Sequence, residues 1–456
     1  MKKLNLNEIL KILKVNVKEK DTVIHRVRTN IKKIGENTLI FHLNKDVEIN
    51  QDEFKKYKSC YIVTDQPLLK GFINKDNYIF VDNIINAYRD FINYYRTLFN
   101  IKVVAVTGTC GKTTTKEMIS QVLKNKYQVV NTFGSRNNIR FHHDYLMKLN
   151  DKVEYGVFET AITHPGHLIH SCEVFKPQIG IITNIGIDHL NWCKTLDNYI
   201  RTKAELLVGL RNSGYLIINN DDDNIKKIDF SNYKGKVITF GMHNNSNYFG
   251  KNIKQEENKV IFTLVKNNKE YSVEVPGNGS HNVYNALAAL ACLEILGMRL
   301  EESILYLSKY LPIRSHTEIK QGINKSLVID DTWSSNPTSV KAALEVLTNI
   351  GKNKTKIAVL GRISYLGKYK QEFYKQIAKD IVSNNVEILI TIDDDAKKIG
   401  KYAANIGMMP SKIIATNTKE ELTTILNKML NHNTVALFKT SMLDKNSQEI
   451  LNELVK

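Results

Sequence analysis

The chain has 456 residues, 42% hydrophobic and 24% charged, with 64 Lys and Arg against 47 Asp and Glu. That length implies about three domains, each with a core of useful size, and the composition is that of an ordinary soluble globular protein. The net charge of +17 is scattered in single lysines and short pairs such as Lys55-Lys56 and Lys397-Lys398, not clustered as in a nucleic-acid binder, which excludes that function and leaves a general pull on anionic substrates.

At the amino end, Met1 to Asn7 show no apolar leader with a small-residue cleavage site. No window approaches 18 uninterrupted apolar residues, so a cytoplasmic protein without a membrane span is expected. Residues 1–100 form a mixed segment with strand-like runs at Thr38–Leu43 and Cys60–Val63, then a helix at Ile84–Leu98. From residue 101 to 311 strands alternate with helices. Strands are predicted at Lys102–Thr107, Tyr155–Glu159, Ile179–Thr183 and Tyr215–Asn219, with a helix at Leu196–Leu210. This alternation predicts a parallel sheet covered on both faces. A polar hairpin follows, Lys259–Val265 with Tyr271–Val275, and then an apolar helix at His281–Leu296 closed by Gly297. From Pro312 the alternation resumes, with strands at Ser326–Asp330, Lys356–Leu360, Ile388–Ile392, Ile413–Ala415 and Val435–Phe438. Helices lie between them, for instance Pro337–Leu347 and Tyr369–Val382.

The stretch Val103-Val104-Ala105-Val106-Thr107-Gly108-Thr109-Cys110-Gly111-Lys112-Thr113-Thr114-Thr115 carries the most chemistry. A buried-strand run feeds a Gly loop that ends in Lys-Thr-Thr and enters a helix. A helix start offers unpaired N–H groups and a positive dipole end to phosphate oxygens. Gly108 and Gly111 allow close backbone approach. Lys112 can neutralise β/γ charge, and Thr113 can hold Mg²⁺. The residues expected around the phosphates of ATP are Gly108, Thr109, Cys110, Gly111, Lys112, Thr113 and Thr114. Val106 stands where the general phosphate-loop pattern has its first Gly, so this is the shorter Thr-Gly-Thr-x-Gly-Lys-Thr form. Cys60, Cys110, Cys172, Cys193 and Cys292 make no C-x-x-C pair, against structural zinc and a disulfide framework. The expected fold class is α/β in three domains: 1–100, an N-terminal α/β domain; 101–311, a central P-loop parallel-sheet ATPase domain; and 312–456, a C-terminal Rossmann-like α/β domain.

Four further clusters refine the chemistry. Glu159 ends a predicted strand, where ligands of parallel sheets collect, and a carboxylate there suits Mg²⁺. The next strand ends in Thr183-Asn184-Ile185-Gly186-Ile187-Asp188-His189, and Lys203 lies fourteen positions after His189. A His can ligate metal or orient a ligand, although in a loop it is usually surface, and a Lys on a helix is usually solvated. Asn282 and Asn285 share one face of a helix start, where amides can meet an adenine edge; the plainer reading is a Ser280-capped apolar helix. Arg314 and the run Ile329-Asp330-Asp331-Thr332-Trp333-Ser334-Ser335-Asn336-Pro337 suit a γ-phosphate and ribose hydroxyls or a metal-bound phosphate.

In order, spacing and residue type these clusters resemble the Mur ligase family, ATP-dependent amino-acid ligases of cell-wall precursor synthesis with relatives such as folylpolyglutamate synthase. The branch most resembled adds D-alanyl-D-alanine to a UDP-muramyl tripeptide. The matching stretches are Thr107–Ile119, His164-Pro165-Gly166, Ile182–Gly186, His189 with Lys203, the helix from His281, and Asp330–Ser339. The resemblance implies that Thr113 and Glu159 hold one Mg²⁺ and that His189 and Lys203 serve a second metal, the lysine carbamylated into an oxygen ligand. It places Asn282 and Asn285 at adenine, Arg314 at phosphate and Asp331 at ribose. Lys112, His189 and Lys203 are then the catalytic set, and the partners are a small-molecule acid and amine bound by a monomer. The implied reaction makes an acyl phosphate from ATP and a carboxylate, which an amine then displaces.

The chain departs from the family pattern on the substrate side. Val27–Phe41 lacks the Asp-Ser-Arg that precedes a Gly-Asp-Leu-Phe-like strand. The Asn-Asn-Ile-Gly-Val-Pro-like segment reads Asn137-Asn138-Ile139-Arg140-Phe141-His142. Leu-Gly-Asp-Met-x-Glu-Leu-Gly has become Leu360-Gly361-Arg362-Ile363-Ser364-Tyr365-Leu366-Gly367, and Lys-Gly-Ser-Arg has become Lys439-Thr440-Ser441-Met442. Alternatives are therefore a diverged ligase joining a different acid and amine in a specialised peptide pathway, and a non-catalytic nucleotide-binding subunit. A third, an amidating subunit paired with a glutaminase, usually carries a four-cysteine zinc insert that this chain lacks.

Overall fold

The computed structural model describes residues 1–15, 21–47, 50–67, 75–442 and 444–455. They form two compact units. The first comprises Met1–Val103, Tyr127–Gly156 and His170–Lys176; the second comprises Val104–Lys126, Val157–Ile169 and Pro177–Lys456.

The first unit holds a four-stranded, all-parallel sheet in the order Arg26–Arg28, Thr38–Phe41, Cys60–Thr64, Tyr78–Phe80. The second and third strands are the apolar runs legible in the sequence. The outer two, each only three residues long, were not anticipated. Ile31, Ile40, Phe54, Cys60 and Ile62 make the core on one side. The helix Ile84–Thr97 starts at Asn83, whose side chain accepts from the Asn86 N–H. It buries Phe91, Ile92 and Tyr95, with the Tyr95 hydroxyl donating to the Leu149 carbonyl at 2.9 Å.

The second unit contains two sheets. In the first, the inner strands Lys236–Gly241, Tyr215–Asn219, Ile179–Ile182, Lys102–Thr107 and Tyr155–Glu159 follow one another in that order, with parallel pairing where Ile179–Ile182 meets each neighbour. Val103 to Val106 are fully buried, as a strand covered on both faces requires. Beyond Lys236–Gly241 the chain adds Tyr248–Glu256, Lys259–Lys266 and Lys269–Pro276, the last two antiparallel to their neighbours. The hairpin was expected; Tyr248–Glu256 was not, because its polar run Lys-Asn-Ile-Lys-Gln-Glu has no clear period of two. Lys269–Pro276 is one of the two edge strands of this sheet. The helix His281–Ile295 is buried almost all round, including the run Ala286 to Leu293.

The second sheet runs Glu318–Gln321, Leu327–Asp331, Thr434–Lys439, Thr355–Leu360, Ile388–Thr391, Ile413–Ala415, with only the first pair antiparallel. Helices Pro337–Ile350, Lys370–Ser383 and Asp394–Asn405 pack one face, through Val340, Leu344, Ile377, Ile381 and Ile399. Lys419–Met429 and Lys445–Leu454 pack the other, through Leu422, Leu426, Ile450 and Leu451. The neighbouring strands Thr355–Leu360 and Thr434–Lys439 therefore send the chain to opposite faces. Such a switch point opens a crevice at the carboxyl ends of the strands. Among the described residues no helix is long and apolar enough to cross a membrane.

Candidate active site

The candidate catalytic, nucleotide-binding and metal-binding residues all lie in the second unit, whereas the departing stretches Val27–Phe41 and Asn137–His142 lie in the first. The loop after Lys102–Thr107 is stitched to the loop after Ile179–Ile182. The N–H of Thr109 donates to the Asn184 carbonyl and that of Cys110 to Asn184 Oδ1, both at 2.9 Å. Asn184 Nδ2 and Thr183 Oγ1 return to the Cys110 carbonyl at 3.0 and 2.6 Å. The Gly186 N–H donates to Thr109 Oγ1 at 2.9 Å, and that hydroxyl also meets the Tyr199 hydroxyl at 3.1 Å. The loop is thus fixed by its own surroundings.

Two glycines are demanded by this geometry. Gly108 has φ +147° and Gly111 φ +77°; a Cβ would overlap Thr183 Oγ1 at the first and Asn285 Oδ1 at the second. Gly111 is also the left-handed residue that opens the helix Lys112–Leu123. Lys112 Nζ folds back to the Thr109 carbonyl at 2.8 Å. Thr113 Oγ1 donates to Glu159 Oε2 at 2.8 Å. Both are buried, with Glu159 2% exposed. A hydroxyl and a carboxylate oxygen side by side against a phosphate loop are the hard donors Mg²⁺ takes, with phosphate and water oxygens filling its octahedron. Among the described residues no three His, Cys, Asp or Glu side chains converge on a metal-sized site; a cation here would be shared with the nucleotide. Thr114 is half-buried, while burial pushes the Cys110 thiol up from its ordinary value.

Lys203 is not solvated. On the helix Leu196–Gly209 it is 1% exposed and donates to the Gly108 carbonyl at 2.7 Å and to Thr107 Oγ1 at 3.3 Å. Its ammonium lies 5.3 Å from the Tyr199 ring. Desolvation, and then the charge of Lys112, push its pKa well below the usual lysine value, so the neutral amine is accessible. His189 has φ +54° and sits 6.4 Å, ring to ring, from the same Tyr199. Desolvation holds its pKa below 6.5 against the opposing pull of Asp188. Tyr199 is thus the common neighbour of His189, Lys203 and the loop. Its part was not foreseen from sequence, where it reads as an ordinary core aromatic.

Asn282 and Asn285 do share a face, and it is turned to the loop. Thr115 Oγ1 donates to Asn285 Oδ1 at 3.3 Å, Asn285 Nδ2 to Asn282 Oδ1 at 3.3 Å, and Asn282 Nδ2 to the Asn278 carbonyl at 2.9 Å. Ser280 does not cap this helix. Its backbone is already helical, and its hydroxyl reaches Glu345 at 3.5 Å. From the second sheet, Asp331 is ion-paired to Lys439 at 2.7 Å, and Lys439 Nζ also donates to the Ser334 carbonyl at 2.6 Å. Asp330 instead pairs with Lys320 at 2.7 Å. Arg314 is exposed. Asn336 both caps the helix Pro337–Ile350, in a capping box with Ser339, and accepts from Cys110 Sγ at 3.4 Å. The sequence signal for that cap, Asn-Pro followed by Ser, was present in the fourth cluster; its contact with the phosphate loop was not readable.

Residues 106–293 match the family model of the Mur ligase middle domain, and residues 317–442 that of the Mur ligase, glutamate ligase domain. The UDP-N-acetylmuramoyl-tripeptide–D-alanyl-D-alanine ligase of Buchnera aphidicola subsp. Baizongia pistaciae is 28% identical over 438 residues, covering 95% of this chain and 93% of the relative. The Bacillus subtilis protein of the same name is 25% identical over 459 residues, covering 99% and 98%. Among solved structures, MurF from Acinetobacter baumannii superimposes with a TM-score of 0.86 at 23% identity, covering 99% of both chains. MurF from Thermotoga maritima in complex with ADP gives 0.80 at 21%, covering 94% of this chain and 98% of that one. At those identities the structural likeness concerns the fold.

Proposed function

The chain belongs to the Mur ligase family, and from that premise we propose that it is an ATP-dependent ligase that adds D-alanyl-D-alanine to a UDP-muramyl tripeptide through an acyl phosphate. The observation that carries the ATP chemistry is the convergence of the phosphate loop, the Thr113–Glu159 pair and the buried Lys203 within one compact unit. The relatives, which match along nearly the whole chain, supply the acid and the amine.

In this reading the N–H groups at the start of the helix Lys112–Leu123 and the Lys112 ammonium receive the phosphates. The substrate carboxylate attacks the γ-phosphorus, ADP departs, and the amine then attacks the acyl carbon and expels phosphate. Lys112 offsets charge on the transferring group, and the loop and the strand ends of the second sheet hold the reactants in line. Thr113 and Glu159 would hold Mg²⁺, which would supply Lewis-acid charge neutralisation. A neutral Lys203 can add CO₂ at Nζ with loss of a proton, and the resulting carbamate would, with His189, hold a second cation. Asn282, Asn285 and Asp331 face the nucleoside, and Arg314 swings to the phosphate side. The divisions at residues 100 and 311, a monomeric state and a cytoplasmic site of action belong to the same proposal.

The test is product formation. Purified protein with ATP, Mg²⁺, a UDP-muramyl tripeptide and D-alanyl-D-alanine is expected to release phosphate and yield the pentapeptide mass; no product from this pair sinks the substrate assignment. One observation favours a second reading, a ligase for another acid and amine: at the switch point the exposed Arg362 lies 4.0 Å from Asp395, where the family pattern has Asp. A panel of acids and amines read by mass spectrometry separates the two.

A further inference from the structure

Among the described residues no hydrogen bond orients the His189 ring. Its Nε2 lies 3.9 Å from Asp188 Oδ2, beyond hydrogen-bond reach, and its buried Nδ1 has no partner among those residues. Aromatic rings hold it instead. Tyr365 lies nearly parallel to it at 5.4 Å and 18°, and Trp192 lies at 5.7 Å. Trp192 and Tyr365 are themselves 5.1 Å apart. Tyr199 and Trp192 come from the same sheet layer as His189; Tyr365 alone comes from the loop after Thr355–Leu360, in the other sheet.

That loop is pinned where it meets His189. The Leu190 N–H donates to the Tyr365 carbonyl at 2.9 Å, and the Gly367 N–H to Asn191 Oδ1 at 2.7 Å. Tyr365 has φ +64°, a conformation that is costly for a bulky residue and persists only where its surroundings dictate it. Tyr365 stands where the family pattern given above has Glu.

We propose that Tyr365 is a positioning residue whose ring, stacked on His189, fixes the imidazole for its task beside the phosphate loop. The proposal rests on the ligase reading above. Metal-ligating histidines are usually oriented by a hydrogen bond on the far nitrogen; here ring stacking takes that part. Because Tyr365 and His189 come from different sheets, the imidazole is set only when those two layers meet.

Two substitutions isolate the ring. Tyr365→Gly removes it while glycine tolerates φ +64° and so keeps the course of the loop; Tyr365→Phe keeps it. In the product assay at saturating Mg²⁺, Y365G is expected to lower kcat about tenfold or more with the KM for ATP within about threefold, and Y365F to stay within about threefold of the parent. Independently of turnover, AMP-PNP binding is followed as Mg²⁺ is titrated. The Mg²⁺ midpoint is expected to rise about tenfold in Y365G and in H189A, to rise no further in the double variant, and to be unmoved in Y365F. An unshifted midpoint or unchanged kcat in Y365G, equal losses in Y365F and Y365G, or multiplied shifts in the double variant overturn the proposal. A parent that makes no product but shows the coupled Mg²⁺ shifts would sink the ligase reading and leave the positioning role standing.

Discussion

Single residues divide by whether a neighbour dictates them. Gly111 is fixed twice, by its φ and by Asn285 at the place of a missing Cβ. Gly111→Ala is expected to cost about 1–3 kcal/mol in urea unfolding and to weaken nucleotide binding. Lys112→Ala is expected to leave stability unchanged and to lower kcat/KM by about 10²–10³; equal activity in K112A would remove Lys112 from the chemistry. Lys203 links charge to stability. Its folded pKa is depressed, so between that value and the unfolded ~10.4 the unfolded chain binds the extra proton and stability rises with pH. In CO₂-depleted buffer the parent is therefore expected to gain stability relative to Lys203→Met as pH is raised from 7 to 10. A constant gap in urea melts would show that the ammonium stays charged. The loop was legible residue by residue because Gly, Lys and Thr at fixed offsets have one joint use. Tyr199, Lys439 and Tyr365 were not, because their partners lie far off in sequence.

Elements were readable where apolar periodicity was strong. The strand Lys102–Thr107 and the helices Leu196–Gly209 and Pro337–Ile350 stand within a few residues of expectation. Tyr248–Glu256 and Lys236–Gly241 were missed because tertiary pairing, not composition, makes them strands. The start of the helix His281–Ile295 shows the same limit. Ser280 looked like a cap and is not one, whereas the neighbouring His281 is the titratable group. Burial holds it at about 4, and the positive helix end also disfavours its charge. The unfolded chain therefore takes up a proton near 6.5 that the folded chain refuses, and stability is lost as pH falls from about 6.5 toward 4. His281→Gln is expected to flatten the urea midpoint between pH 7 and 5; an unaltered slope would mean that the ring is solvated when folded.

For the whole molecule, the nucleotide is expected to act as a stabiliser of the second unit. At 100 times its Kd, Mg²⁺ with AMP-PNP should add about 2.7 kcal/mol if it binds the folded form alone. A thermal shift in the parent that persists at full size in K112A would separate binding from the loop. The overall α/β class followed from strand–helix alternation, and the antiparallel hairpin was legible too; what was not is that Tyr248–Glu256 would join it to the inner parallel strands. That extension ends at Lys269–Pro276, whose outer row of backbone groups could template another chain. The strand guards itself. Lys269, Glu270 and Ser272 are exposed, Lys251 and Lys259 pair with Glu270 and Glu274, and Pro276 closes the run without an N–H to offer. A charged hem of this kind works against one copy knitting onto the next at high concentration, and stripping it is expected to raise aggregation, read by light scattering.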